Sequence, residues 1–303
     1  MRKFIALFGP TAVGKTKLTE DLFSDGFEIV NADSVQIYRY LDIGSAKPGK
    51  DLMEKIPHHL VDIKDPWEEY SSGLFVQDAT SAIDDIISRG KMPLLTGGTG
   101  YYFRQLMYGQ SEAPAADPDV RQRVRKEIGE NGSAWAFEKL KEVDPVSSKR
   151  IHPNDKYRIS RALEVYYSSS MPLSSFALPD RMKDDLDVLV IALRRDKEEL
   201  DERIRMRIDR MFEEGFLDEV KRLKEMGASQ AWPSMDAIGY REALSGYSAP
   251  DELKEAIYIS TRKYAKRQMT FFRSFKEAHW FHPDEKEKIR EAVFSFLSSE
   301  EIN

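Results

Sequence analysis

The sequence predicts an α/β protein: a parallel sheet flanked by helices, with an all-helical segment inserted into it. Three observations carry this expectation. Short continuous apolar runs alternate with helically spaced ones over residues 4–95. A Gly-rich turn, Gly9-Pro10-Thr11-Ala12-Val13-Gly14-Lys15-Thr16, joins the first run to the first helix. Further on, the spacing becomes wholly helical between two proline-bearing loops before a last strong apolar run returns. Strand–helix alternation needs a crossover for each parallel pair, which places helices on the sheet faces.

The elements follow in order. Phe4-Ile5-Ala6-Leu7-Phe8 is apolar throughout, as a strand buried on both faces should be. A helix is expected from about Gly14 to Phe23, and Phe27-Glu28-Ile29-Val30 reads as a second strand. Leu74, Ala79, Ile83, Ile86 and Ile87 share helical spacing up to Arg89, and Gly90 stops that helix. Met92-Pro93-Leu94-Leu95 is a third strand, ended by Gly97-Gly98. Ala113 to Pro118 has linker composition, Asp119 to about Ser170 is helical with no strand, and Pro172 to Pro179 is a second loop. Asp187 to Leu193 is a strand that rejoins the sheet. From Lys197 to Phe281 the chain reads as mostly helical, with a stripe of Leu200, Ile204, Ile208 and Met211. The expected division is a discontinuous core (1–114 and 183–283), an insertion (115–182) and a charged, peripheral tail (284–303).

Composition narrows the chemistry. The 303 residues hold 46 basic and 52 acidic side chains, a formal net charge of −6, which excludes a wholly basic nucleic-acid binder but not a local basic face. With no cysteine, disulfide scaffolds, thiolate-held zinc, iron–sulfur clusters and cysteine nucleophiles are excluded. Phe4–Phe8 is too short for a leader's apolar core or a membrane span, so a cytoplasmic enzyme is expected. His58 and His59 are adjacent and have no carboxylate at a zinc-site spacing; they read as structural or pocket-lining, and His152 as a turn residue.

Gly9–Thr16 matches G-x-x-x-x-G-K-[ST] at every fixed position, with a strand before it and a helix after it. In such a P-loop the backbone N–H groups and the helix N-terminus bind phosphate oxygens. Lys15 adds a point charge, and Thr16 can offer its hydroxyl to a magnesium ion, directly or through water. The acid that holds magnesium at a second strand end in ATPases is missing, because Leu95 runs into Thr96-Gly97-Gly98-Thr99-Gly100. The strand-end acid is Asp33 instead. At the carboxyl edge of the sheet it could bind metal, accept a proton, or simply cap a turn.

A chain-long set of motifs accompanies the cradle: Asn31 to Tyr38, Asp42 to Pro48, Pro57 to Asp62, Gly97 to Gly100, His152 to Asp155 with Arg158-Ile159 and Arg161 to Glu164, Ile238-Gly239-Tyr240, and Thr261 to Gln268. Together, over about residues 4–275, they resemble the bacterial tRNA dimethylallyltransferase family. Tyr101, Phe271 and Val13 depart from the family's commonest pattern without removing a charge or a proton acceptor.

The resemblance implies a P-loop NTPase-like fold and transfer of a dimethylallyl group from dimethylallyl diphosphate to N6 of adenosine 37, beside the anticodon, in tRNAs that read codons beginning with U. It implies that Gly9, Pro10, Thr11, Ala12, Val13, Gly14, Lys15 and Thr16 bind the diphosphate with Mg2+ and that Arg207 also reaches it. Asp33 would be the general base, and Thr99 would orient the amine or a phosphate oxygen. The tRNA anticodon stem-loop would meet Asp33, Ser34, Val35, Gln36 and Thr99, then Tyr157, Arg158, Ile159, Ser160 and Arg161, with Arg121 on weaker motif support. From the residues alone, Arg207 reads equally as a solvated arginine beside an apolar stripe.

A local basic face fits an RNA partner. Tyr258 to Lys276 holds six basic residues (Arg262, Lys263, Lys266, Arg267, Arg273 and Lys276) and no acid. On a helix, Arg262, Lys266 and Arg273 fall opposite Leu253, Ile257, Ser260 and Tyr264. Lys149 to Arg161 is a second basic cluster, with Asp155 its one acid. A monomer with no membrane association is the default expectation. The competing readings are a small-molecule or nucleotide kinase, a prenyltransferase acting on free adenine nucleotides, and a non-catalytic RNA-binding module.

Overall fold

Parallel pairing runs through the whole sheet in a computed structural model of the chain, which describes residues 1–115, 117–176, 178–247 and 249–299. The strands are β1 (Arg2–Phe8), β2 (Phe27–Asn31), β3 (His58–His59), β4 (Met92–Gly97), β5 (Leu186–Leu193) and β6 (His279–Phe281), in spatial order β3-β2-β4-β1-β5-β6. β1 is central, pairing with β4 on one side and β5 on the other. Phe4 to Phe8 have no exposed surface, which is why this stretch of sequence shows no polar alternation.

The helices are α1 (Lys15–Leu22), α2 (Lys50–Lys55), α3 (Ser72–Ser88), α4 (Gly100–Tyr108), α5 (Pro118–Val143), α6 (Pro145–Ser148), α7 (Lys156–Ser169), α8 (Lys197–Glu213), α9 (Phe216–Glu225), α10 (Tyr240–Leu244), α11 (Pro250–Phe272) and α12 (Lys286–Ser298). Local chemistry sets several of their ends. The Ser71 side chain accepts from Leu74 N–H to start α3. Gly14, at φ 112°, lets the cradle turn directly into α1. α5 is broken at Gly132, where φ is 87°.

Residues 1–107 with 183–303 form one compact unit and residues 108–182 another. Among its described residues the second unit has helices and no strand, and it closes its own core over Val124, Ala136, Leu140, Ile159, Ala162 and Leu163. Asp144, fully buried there, accepts from Ser147 N–H and Ser174 N–H, each at 2.9 Å. Ala116 of the first linker, Ala177 of the second loop and residues 300–303 of the tail lie outside the described residues.

One expectation needs correction and another an addition. The segment after Asp284 is no peripheral tail: α12 buries Ile289 and Val293 in the main core. Its charges disguised this, since its buried stripe is only one residue wide per turn. The region from Lys197 to Phe281 also ends in β6, which extends the sheet beside β5. Like β3, that strand is too short for a period to show in sequence. Among the described residues no helix is long and apolar enough to cross a membrane.

Candidate active site

The carboxyl ends of β2, β4 and β1 lie side by side, and each releases a loop that carries functional side chains. This is the edge of an open α/β sheet at which ligands bind. After β1 comes the cradle. Ala12 and Gly14 take positive φ (61° and 112°), the alternation that lets successive N–H groups converge on an anion. Val13 buries its side chain completely, so it serves the loop through its backbone. Lys15 Nζ donates to the carbonyls of Gly9 (2.9 Å) and Pro10 (3.1 Å). Thr16 is exposed at the first turn of α1.

Four side chains from distant helices and loops hold this turn. Arg203 Nε donates to Ala12 O and Arg195 Nε to Val13 O, each at 2.8 Å. Arg207 Nη1 donates to Thr11 Oγ1 at 2.7 Å and Nη2 to Ser45 O at 3.5 Å. Gln268 Oε1 accepts from Thr11 N–H at 2.9 Å. Arg203 and Arg207 stand one turn apart on α8, each beside the buried stripe of Leu200, Ile204, Ile208 and Met211. Burying that stripe turns both guanidinium groups toward the cradle, so Arg207 is not a solvated surface arginine.

The loops after β2 and β4 form the second half of the site. Their pairing continues past the strand ends, with Ala32 N–H donating to Thr96 O (2.7 Å) and Thr99 N–H to Ala32 O (3.1 Å). A Cβ at Gly97 would collide with the Ala32 carbonyl oxygen, so only glycine permits this approach. Asp33 Oδ1 accepts from Val35 N–H (2.9 Å) and Gln36 N–H (3.4 Å), capping the turn that follows. Its Oδ2 faces Gly98. The carboxylate thus combines the turn cap with an outward oxygen beside the cradle. Thr99 Oγ1 accepts from Ser34 N–H at 2.9 Å and donates to Ser34 Oγ at 3.2 Å, locking the two loops together.

A third loop, 42–48, supports Arg207 from behind. The buried Glu219 carboxylate of α9 accepts from the N–H groups of Asp42 (2.9 Å), Ile43 (2.8 Å) and Gly44 (3.1 Å), and from Tyr240 Oη at 2.6 Å. Gln36 Nε2 donates to Ser45 O and Ala46 O on the same loop. Gly44 has no space for a side chain, since its Cβ would meet the Tyr240 ring at 2.5 Å.

Charges in the site influence one another. Burial pulls the Lys15 ammonium down to about 8, opposed by the Asp33 carboxylate and reinforced by Arg207. Burial also lowers Arg207, again opposed by Asp33. Two cations held partly out of water around one carboxylate suit an additional anion. Burial first, then the Asp33 charge, raises the phenol of Tyr264, which stays a neutral hydrogen-bonding group.

Among the described residues no three His, Cys, Asp or Glu side chains gather as metal ligands. Thr16, exposed at the first turn of α1, is the residue that would hold a magnesium ion together with phosphate oxygens. His59 pairs with Glu28 (2.7 Å) and His58 with Ile56 O (2.6 Å), both structural roles.

The residues expected to meet RNA fall into separate sets. Asp33, Ser34, Gln36 and Thr99 line the edge just described, while Val35 packs against the main core. In the helical unit, Tyr157 and Arg158 are exposed on α7, and Ser160 and Arg161 are half-buried. Ile159 is a correction: it is 1% exposed, in that unit's core, and presents no side chain to a ligand. Arg161 donates to Pro114 O at 2.6 Å. Arg121, Arg161 and Arg125 surround the buried Glu164, whose carboxyl is raised by burial against their pull. On α11 and just beyond it, all six basic residues between Tyr258 and Lys276 are exposed, and Arg262 pairs with Asp201 at 3.2 Å.

Sequence reasoning did not place Arg195, Arg203, Gln268 or Glu219 in the site. Gln268 closes the Thr261–Gln268 motif, but its direction depends on how α11 packs. The arginines carried no motif at all.

Known proteins resemble this chain along nearly all of its length. The family model described as IPP transferase matches residues 36–275. The tRNA dimethylallyltransferase of Geobacter sulfurreducens is 41% identical over 283 residues, covering 92% of this chain and 91% of that protein. The one from Xanthomonas euvesicatoria is 41% identical over 307 residues, covering 97% and 94%. Among solved structures, the tRNA isopentenylpyrophosphate transferase of Bacillus halodurans superimposes with a TM-score of 0.70 at 34% identity, covering 98% of this chain and 97% of that one. A eukaryotic dimethylallyltransferase solved acting on tRNA superimposes with a TM-score of 0.79 at 27% identity, covering 97% and 79%. A P-loop cradle, a strand-end carboxylate beside it and relatedness over nearly the full length make this chain a member of the IPP transferase family, alongside the tRNA dimethylallyltransferases.

Proposed function

We propose that the chain transfers a dimethylallyl group from dimethylallyl diphosphate to N6 of adenosine 37 of tRNA. The observation that carries the reading is the juxtaposition of a complete phosphate cradle with Asp33 and Thr99 on neighbouring strand ends, with no second acid placed as in an ATPase. A carboxylate there serves proton removal from an acceptor, whereas a kinase would use the cradle to hold its ATP.

In this reading the C–O bond between the allylic carbon and the diphosphate breaks as the bond from N6 to that carbon forms. The leaving electron pair stays on the diphosphate, and the N6 proton passes to Asp33 Oδ2. The loop N–H groups, Lys15 and Arg207 stabilise the charge gathering on the leaving group, and donors aimed in advance at developing charge are the main source of rate in such electrostatic catalysis. Thr99, fixed by Ser34, orients the acceptor amine. A magnesium ion, when bound by Thr16 and the diphosphate, would neutralise further charge on the leaving group.

The adenine must leave its stack, which costs a few kcal/mol and is offset by contacts in the pocket. We assign the anticodon stem-loop to Ser34 and Gln36 at the edge, the exposed stripe of α11, and Arg121, Tyr157, Arg158 and Arg161 of the helical unit. The proposal includes a monomer at work in the cytoplasm, the compartment of its tRNA substrate.

The test is acceptor choice. Labelled dimethylallyl diphosphate is incubated with unmodified tRNA or with AMP. Label is expected in tRNA; label in AMP alone would favour the free-nucleotide reading.

A further inference from the structure

We propose that Gln268 is a positioning residue whose amide fixes the donor cradle relative to the acceptor loop. This inference rests on the functional reading above and adds a residue to it.

The geometry is specific. Gln268 is 5% exposed on α11, yet its side chain reaches two loops far away in sequence. Its Oε1 accepts from Thr11 N–H at 2.9 Å, and its Nε2 donates to Gly98 O at 2.7 Å. The chemistry of the partners fixes the orientation of the amide. A backbone N–H can only donate and a carbonyl can only accept, so exchanging oxygen and nitrogen would break both bonds. One loop follows β1 and the other follows β4, immediately before Thr99. The amide therefore spans the step between the group that would hold the diphosphate and the group that would hold the amine.

The surroundings make the amide stiff. Phe272, one turn after Gln268, stacks on Phe8 at the end of β1 with ring centroids 4.5 Å apart. The ring of Phe271 lies against Gly100, whose Cβ would meet it at 2.5 Å. Gly98 is bare where the amide passes, since a Cβ there would lie 2.7 Å from Nε2. Thr11 is held a second time through its hydroxyl by Arg207. Gln268 touches neither reacting atom in this scheme. It acts by setting the separation and angle between two bound substrates, and a misplacement of about 1 Å costs on the order of 10²-fold in rate.

The test compares wild-type enzyme with Gln268→Met, which keeps length and bulk but makes no hydrogen bond, and with Gln268→Glu. Single-turnover transfer, donor KM, tRNA affinity and thermal melting are measured for each. The expected result for Gln268→Met is a turnover fall of about 10- to 10²-fold, with tRNA affinity and melting close to wild type and a much smaller change in donor KM. Gln268→Glu should be slower still near neutral pH, because an ionised carboxylate cannot donate to Gly98 O. Its rate relative to wild type should rise as pH falls, when the protonated acid can both accept and donate. A Gln268→Met enzyme as fast as wild type overturns the inference. So does a rate loss matched by equal losses in affinity and melting, or a Gln268→Glu ratio that is flat with pH; this last readout still decides if the Met variant folds poorly. A wild type that transfers no dimethylallyl group would instead contradict the functional reading itself.

Discussion

The cradle takes its shape from consecutive residues, Gly9 to Thr16, whereas the edge beside it joins Asp33 and Ser34 after β2, Thr99 after β4 and Gln268 from α11. The first is a local turn set by two positive-φ residues and a helix start, which Arg195, Arg203, Arg207 and Gln268 then brace from outside. The second exists only once the sheet has formed and α11 has docked. A local turn can be weakened one hydrogen bond at a time. An assembled edge should fail as a unit, and should fail in the chemical step rather than in binding.

The largest expected effect lies on the edge. Asp33→Asn keeps the oxygen that caps Val35 N–H but removes the proton acceptor. Transfer should fall by about 10²- to 10⁴-fold, with tRNA affinity and melting nearly unchanged. Asp33→Ala should add a stability loss of about 1 kcal/mol from the missing cap. Weaker tRNA affinity in the Asn variant would move Asp33 from chemistry to recognition.

In the cradle, Lys15→Ala should lower kcat/KM for the donor by about 10²- to 10³-fold. Its pH dependence sharpens the comparison. In the wild type, Lys15 is charged below about 8 and neutral above, so donor kcat/KM should decline as pH rises through that value. The decline should be missing in Lys15→Ala. Arg203→Met should act more mildly, raising donor KM by about 10-fold, the scale of one missing charged hydrogen bond at Ala12 O. A turnover defect equal to that of Asp33→Asn would show that the cradle is not a separable part.

The smallest effect belongs to the basic stripe. Arg262→Ala with Lys266→Ala should weaken tRNA binding and reduce the slope of log affinity against log salt by about 0.7 to 0.9 for each phosphate no longer neutralised. Because Arg262 already pairs with Asp201, Lys266 should account for the larger share. An unaltered slope would place the RNA elsewhere.

The same contrast explains what could be read from the sequence. The strands of the central sheet were legible because burial on both faces leaves unbroken apolar runs, as in Phe4–Phe8 and Leu189–Leu193. The cradle was legible because its turn is written in consecutive residues. From the residues alone Asp33 was a strand-end acid with three possible uses, and the fold shows it capping a turn with one oxygen while the other faces Gly98. Arg203 could not be found, since a guanidinium beside an apolar stripe looks the same whether it meets water or a loop carbonyl, and Arg195 lies in the short loop between β5 and α8, where no periodicity marks its direction. Glu219 was equally hidden: nothing in Leu217 to Val220 tells that its carboxylate will be buried against three backbone N–H groups. High charge along Lys286–Ser298 conceals the narrow buried face of α12, and nothing in Tyr157 to Arg161 tells that Ile159 alone of the five is fully buried.

In the proposed function this cradle serves a departing diphosphate and not phosphoryl transfer. Its most direct test offers the purified protein, in parallel, labelled dimethylallyl diphosphate with unmodified tRNA, and ATP labelled at its terminal phosphate with tRNA or small acceptors. Isoprenoid label is expected in a modified adenosine after nuclease digestion, while phosphorus label should reach no acceptor. Phosphorus moved onto an acceptor, with isoprenoid left untouched, would contradict it.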